Sequence, residues 1–258
     1  MLKNALLNLF RRCGVEVRRY HPNNSEHCAT QLLLRYLRVD LVLDVGANEG
    51  QYAASLLDGG YRGQILSFEP LSRAHATLTA RAAGYARWAV LRRAAIGDHP
   101  GVATIHVAGN SVSSSFLSTL EAHLAAAPES ATVGEEEVDM VCLDDAAAPY
   151  LNAATAILLK VDTQGFEWQV LDGASQVLQA AVAVQLELSL VPLYEHQRLW
   201  LDYVRRLSEL QFDLYFAYPA FTDERTGQTL QLDAMFVRRL SVDSPTSIRS
   251  LGAEFTNA

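Results

Sequence analysis

The sequence predicts a doubly wound α/β fold: a seven-stranded sheet, mostly parallel with one antiparallel strand, and helices on both faces. Three observations predict it. Seven apolar runs of strand length recur between residues 41 and 238. Helical patterns separate several of them, as they do where crossover helices join parallel strands. The chain has 258 residues, 50% hydrophobic and 19% charged, which suffices for one large core.

Residues 1–38 read as a helical arm. Leu2, Ala5, Leu6, Leu9 and Phe10 mark one apolar stripe that breaks near Gly14, and residues 31–37 read as the end of a second helix. The main domain is expected over residues 39–240. Its strands are 41–45 (LVLDV), 64–69 (QILSFE), 89–96 (AVLRRAAI), 156–162 (AILLKVD), 182–190 (VAVQLELSL), 212–218 (FDLYFAY) and 232–238 (LDAMFVR). Its helices are 50–58, 71–83, 166–179 and 194–210. The last strand follows its predecessor through PAFTDERTG with no helix between, so the two are expected to pair antiparallel. Residues 99–144 break this rhythm. They open with a hairpin-like PGVATIHVAG and continue as a Ser- and Ala-rich loop holding SVSSSF and the acidic GEEEVD. A connection this long is expected to recognise substrate or act as a lid. Residues 241–258 read as a polar tail.

The formal charge of −8 argues against a general nucleic-acid binder. Residues 1–20 run the other way, with Lys3, Arg11, Arg12, Arg18 and Arg19 against Glu16. Weak contact with an anionic membrane surface and plain solvation are the two readings of that surplus. Cys13, Cys28 and Cys142 are odd in number and widely spaced, so neither a disulfide framework nor a structural zinc site is expected. A reducing, cytoplasmic location follows. The first apolar stretch is short and leads into arginines, unlike a secretion signal. No apolar run reaches the roughly 18 residues needed to span a bilayer. The oligomeric state stays open.

The stretch LDVGANEGQY, residues 43–52, puts Asp44 at the end of the first strand, Gly46 two residues on, and Gly50 at the start of a helix. In an open parallel sheet, ligands bind outside the carboxyl ends of the strands. Glycine permits the sharp turn and a close approach. The spacing G-x-x-x-G is not the dinucleotide fingerprint, and an acid ahead of the glycines suits a cationic or zwitterionic ligand. Glu69 ends the second strand, where it can accept from ribose hydroxyls. Asp98 ends the third, AIGD, where it can accept from an adenine amino group. Three acids closing three successive strands predict a nucleoside grip.

The stretches LDVGANEGQYA (43–53), ILSFEPL (65–71), AAIGD (94–98), VCLDD (141–145), LLKVDTQGFEWQVLDGA (158–174) and VQLELSLVPLY (184–194) occur in that order. Through them the chain resembles the Rossmann-like class I S-adenosylmethionine-dependent methyltransferases, and within these the FkbM family of O-methyltransferases. The resemblance implies S-adenosylmethionine as cofactor. It implies methyl transfer to a hydroxyl of a sugar, on a glycolipid or polysaccharide, or of a polyketide-type metabolite. On that basis Asp44, Gly46 and Gly50 surround the methionine moiety, Glu69 holds the ribose and Asp98 the adenine. Asn48 and Ser113 to Ser115 also fall in motif segments.

Asp162 ends the fourth parallel strand, where the methyl group should point. An alcohol needs a positioned base or a divalent metal to attack it. Asp162, Glu167 and Glu187 are the candidate bases, with Asp162 favoured and Glu187 as helper. His196 is a further base or substrate contact, and Tyr194 a candidate to stack on a sugar. Lys160 lies inside an apolar strand, so a buried Lys160–Glu187 pair competes with a catalytic role for Glu187. Magnesium held by Asp162 with Asp144 or Asp145 is the metal alternative. Two other readings compete: an NAD-type oxidoreductase, and a non-catalytic nucleoside-binding module. The missing third glycine and the lack of a Tyr-x-x-x-Lys pair argue against the first, and the intact strand-end acids against the second.

Overall fold

A computed structural model describes residues 9–151 and 155–239. A seven-stranded sheet forms the centre, in the order β3-β2-β1-β7-β8-β10-β9. Strands β1 (Leu41–Val45), β2 (Gln64–Phe68), β3 (Trp88–Val90), β7 (Ile157–Val161) and β8 (Ala181–Ser189) are mutually parallel. Strand β10 (Gln228–Arg238) pairs antiparallel with both β8 and β9 (Phe212–Asp223). Both faces are covered. Leu43, Val45, Leu159, Val161 and Leu186 pack on one side, against α6 (Glu167–Asp172), α7 (Ser175–Ala180) and α8 (Trp200–Glu209). Val42, Ile65, Leu158, Ala183 and Met235 pack on the other. There they meet α1 (Glu26–Tyr36), α2 (Gln51–Asp58) and α3 (Ser72–Ala82). Apolar residues on both faces are what a doubly covered strand requires.

Several boundaries differ from the expected ones. The run 89–96 is two strands, not one. β3 stays in the main sheet, whereas β4 (Ala95–Gly97) joins a second sheet of three strands ordered β4-β6-β5. Arg92 and Arg93 explain the break: they turn outward, to Asp139 at 3.2 Å and Glu136 at 3.2 Å, and a doubly covered strand could not bury both. The expected helix 166–179 is interrupted at Gly173, where a Cβ would lie 2.0 Å from the Gly97 carbonyl oxygen. The expected helix 194–210 begins only at Trp200.

Residues 99–144 are better ordered than a loop. β5 (Gly101–Ala108) and β6 (Thr132–Cys142) form a long antiparallel pair, so the acidic GEEEVD stretch is strand. Short α4 (Glu121–Ala126) lies between them, and α5 (Leu143–Ala147) follows. Helix α1, inside the expected arm, is part of the core: Leu33 and Leu34 pack with Val42, Ala53 and Leu56. The first part of the arm's stripe, Leu2 to Leu6, and the tail 241–258 lie outside the described residues.

Candidate active site

Two ranks of polar side chains cross the sheet on the α1–α3 face. The first is set by strand register: Ser67 on β2, Asp44 on β1, Lys160 on β7 and Gln185 on β8 are direct neighbours. All four are buried. Buried polar groups need partners, and these have them. Trp88 Nε1 donates to Ser67 Oγ at 2.9 Å, and Ser67 Oγ donates to Asp44 Oδ2 at 3.1 Å. Lys160 Nζ lies 3.3 Å from Asp44 Oδ1, 3.6 Å from Asp162 Oδ2, and donates to the Gly46 carbonyl at 3.3 Å. The last Asp44 oxygen has ion-pair proximity but no aligned hydrogen bond. Tyr52 donates to Gln185 Oε1 at 2.6 Å, and Gln185 Nε2 to Glu26 at 2.7 Å. Burial alone would lower the Lys160 pKa, but the carboxylates of Asp44 and Asp162 outweigh it and raise it. The expected Lys160–Glu187 pair is therefore corrected: the lysine's acids are Asp44 and Asp162.

The second rank stands two residues further along each strand, at the carboxyl ends: Glu69, Gly46, Asp162, Glu187 and Asp233. Gly46 has φ +75°, and a Cβ there would sit 1.8 Å from the Asp162 backbone oxygen. The glycine thus lets the β1 and β7 turns touch, rather than admitting a ligand. Beside this contact opens a cleft that joins a polar rim to an apolar wall, as ligand sites do. Gly46, Asn48 and Glu69 line it, as do Asp162, Thr163 and Gln164. Phe68, Leu71, Ala95, Ile96, Ile105 and Phe116 give it an apolar wall. The small sheet and its loop supply Ile105, Ser111, Val112, Ser114 and Phe116, so the 99–144 segment walls the cleft. Ser111 closes on Asn48, whose Nδ2 donates to its hydroxyl at 3.2 Å.

Glu69 is buried, and its two oxygens accept from the backbone N–H of Asn48 at 2.8 Å and of Leu71 at 2.9 Å. Each oxygen keeps one lone pair for a ligand hydroxyl. Burial pushes this carboxyl up to about 7, against the pull of the two N–H groups. A hydroxyl acceptor at the β2 end beside an apolar slot fits the ribose and the base of S-adenosylmethionine.

The turn after β7 brings Asp162, Thr163 and Gln164 to the cleft. Asp162 is about a third exposed (33%) and borders the cleft. Gln164, at φ +53°, donates from Nε2 to Asp162 Oδ1 at 2.8 Å and to Glu187 Oε2 at 2.7 Å. Its own Oε1 accepts from Tyr194 at 2.8 Å. Glu167, a candidate base by sequence, is spent on structure. Its Oε1 accepts from Thr163 N at 2.9 Å and Gly165 N at 3.1 Å, so it buckles the turn that presents Asp162. Burial pushes it up to about 7.

Beyond Asp162 the side chains are acidic. Glu187 accepts from Gln231 Nε2 at 2.7 Å as well as from Gln164. Its pKa is raised well above the ordinary carboxyl range by burial, then by Asp162 and Asp233. Asp233, opposite Glu187 in register, is pushed up to about 8 by burial and by Glu26, with which it shares a hydrogen bond. Glu26 is itself raised, chiefly by burial. The sequence reading missed Gln164, Gln231, Asp233 and Glu26. Polar residues on the inward face of LDAMFVR were the available signal for Asp233.

Other expected residues are placed elsewhere. Asp44 is fully buried beneath the turn and does not border the cleft, nor does Gly50. Asp98 follows β4 of the small sheet rather than a third strand of the main one. It is exposed and pairs with His99 at 2.7 Å, so Ala94, Ala95 and Ile96 face the cleft instead. His196 is an exposed turn residue at φ +59° away from the cleft, and Gln197 ties that turn to Ser189 at 2.9 Å. Tyr194 is buried under Gln164 and has no face for a sugar. Asp144 caps α7, accepting from Gln176 N at 2.9 Å and Val177 N at 2.9 Å, which removes it as a magnesium ligand beside Asp162. Among the described residues no group of three His, Cys, Asp or Glu is arranged to hold a metal ion.

A parallel sheet with a glycine turn after β1, an acid closing β2 and a polar turn after β7 around one cleft defines a nucleoside-cofactor group-transfer enzyme. The model of the methyltransferase FkbM domain matches residues 44–214, and the chain belongs to that family of S-adenosylmethionine-dependent methyltransferases. A search of curated proteins matches none to this chain. Among solved structures, the chain is similar to an rRNA methylase from Streptococcus thermophilus, with 12% identity, 87% of this chain and 100% of that chain covered, and TM-score 0.45. It is also similar to a magnesium protoporphyrin IX methyltransferase from Synechocystis, with 11% identity, 92% and 97% covered, and TM-score 0.43.

Proposed function

We propose that the enzyme methylates a hydroxyl of a sugar, on a glycolipid or polysaccharide, or of a polyketide-type metabolite. The observation that carries this reading is Asp162: a carboxylate bordering the cleft, oriented from one side by Lys160 and from the other by Gln164. When bound, S-adenosylmethionine supplies an activated methyl group, so the protein needs no covalent intermediate. It must align the acceptor oxygen with the methyl carbon and take one proton, and alignment supplies much of the acceleration. Asp162 accepts the hydroxyl proton as the new C–O bond forms. Lys160 holds one of its oxygens and Gln164 the other, so the carboxylate has a defined direction. Glu187 acts through Gln164 as a positioning residue.

The test is transfer of labelled methyl from S-adenosylmethionine to glycolipid and macrolide acceptors, with and without chelator. Label on a hydroxyl, unchanged by chelator and lost in Asp162→Asn, is the expected result. Label found only on amine or RNA acceptors would sink the proposal.

A further inference from the structure

Residues 9–20 leave the core with their apolar side chains uncovered. Leu9 is 58% exposed and Tyr20 62%, and Phe10, Val15 and Val17 are exposed as well. Residues 9–12 are helical, and Arg11 and Arg12 follow directly on the exposed Leu9 and Phe10. An apolar stripe beside a basic face is the pattern of a helix lying in a lipid interface.

The patch continues onto the folded domain. Leu32 and Tyr36 of α1 share a groove with Pro22 and with Tyr215 of the edge strand β9. Leu32, Tyr36 and Tyr215 are all exposed, and tyrosine is favoured at the headgroup level of a bilayer. We propose that residues 9–20, together with this groove, seat the enzyme on an anionic lipid surface. Charge selects that occupant. Residues 1–20 carry five basic side chains against one acidic in a chain of net charge −8, and only Arg18 of the described four arginines there is paired, with Glu16 at 2.6 Å. A second copy would bring like charges together, whereas anionic headgroups attract each arginine.

The Pro22 carbonyl accepts from Tyr218, and Tyr218 is the register partner of Asp233, so the seat lies beside the β9–β10 edge of the main sheet. The docking does not rest on the methyltransferase reading.

The experiment is sedimentation of the full chain with vesicles of phosphatidylcholine alone and of equal parts phosphatidylcholine and phosphatidylglycerol. Calorimetry with S-adenosylhomocysteine runs in parallel, so a failed donor site is distinguished from a failed membrane seat. Partition into the anionic vesicles should exceed that into neutral ones by about tenfold or more and fall as salt screens the arginines. The pairs Leu9→Glu with Phe10→Glu, and Arg11→Glu with Arg12→Glu, should each cut partition on the order of tenfold and leave donor binding unchanged. Equal partition into both vesicles, no sedimentation, or variants that sediment as the parent does would overturn the proposal. So would a lipid-free dimer that the Leu9→Glu, Phe10→Glu variant abolishes, since it would assign the face to a second copy.

Discussion

The two halves of the cleft are built from different materials. On the donor side, backbone N–H groups and apolar walls surround one acid: Glu69 is fixed by Asn48 and Leu71 and faces Phe68, Ile96 and Ile105. On the side proposed for the acceptor, side chains hold one another: Asp162 borders the cleft, Gln164 bridges it to Glu187, Gln231 donates to Glu187 in turn, and Lys160 pairs with Asp162. A backbone cradle has one shape whatever the ligand, which suits a constant donor. A side-chain network can be re-specified residue by residue, which suits a variable acceptor. Lys160 joins the halves, because it touches Asp44 and the Gly46 carbonyl on one side and Asp162 on the other.

The largest effect should separate the halves kinetically. Asp162→Asn is expected to lower kcat by roughly 10²–10⁴-fold while leaving S-adenosylhomocysteine affinity within about twofold. Glu69→Ala should do the reverse, weakening that affinity by about 10- to 100-fold, since it removes hydrogen bonds to a charged group. Paired calorimetry and saturating-donor kinetics read both. If Asp162→Asn lost donor binding instead, the division of labour would fail.

Lys160→Met should cost about 3–5 kcal/mol in denaturant unfolding, because it strands the fully buried Asp44 without its cation. Asp44→Asn in the same chain should recover part of that loss. A cost no larger than a surface substitution would show that the first rank does not tie the halves together.

A smaller effect distinguishes the halves by pH. Asp233 is pushed up from 3.8 to about 8, so the folded state holds its proton where the unfolded chain has released it. Its contribution to stability is therefore complete below about pH 4 and fades as pH rises towards 8. Asp233→Asn should gain on the parent steadily between pH 5 and pH 8, by at most about 1.4 kcal/mol per pH unit, as followed by thermal unfolding. A parallel loss at both pH values would remove the buried proton. The smallest effects belong to residues outside both halves. Asp98→Ala and His196→Ala should each change donor affinity and kcat less than about twofold.

Local patterns made much of this molecule legible. The runs at 41–45 and 156–162 are strands because β-branched and leucine residues alternate faces without a breaker, and the glycine-rich turn after Asp44 marks a strand end from composition alone. Glu69 and Asp162 stand where strand counting put them. The reading failed where a residue's role depended on a distant partner. Asp98 looked like the third strand-end acid, but two arginines had already taken the chain out of the main sheet. Glu167 looked like a base, but the N–H groups of Thr163 and Gly165 occupy it. Lys160 stands out as a charge inside an apolar strand, but the partner expected for it, Glu187, is the wrong acid, because register across β1, β7 and β8 sets Asp44 beside it.

Strand periodicity, turn chemistry and the order of the acids were thus enough to announce an α/β sheet with a ligand cleft at its carboxyl edge, since each of these is local and one residue's neighbours in the chain set it. Which acids reach the cleft, which serve the scaffold, and which cation binds them emerged only when strands more than a hundred residues apart came into register. Side-chain burial and pairing are properties of that packing, and no stretch of chain carries them alone.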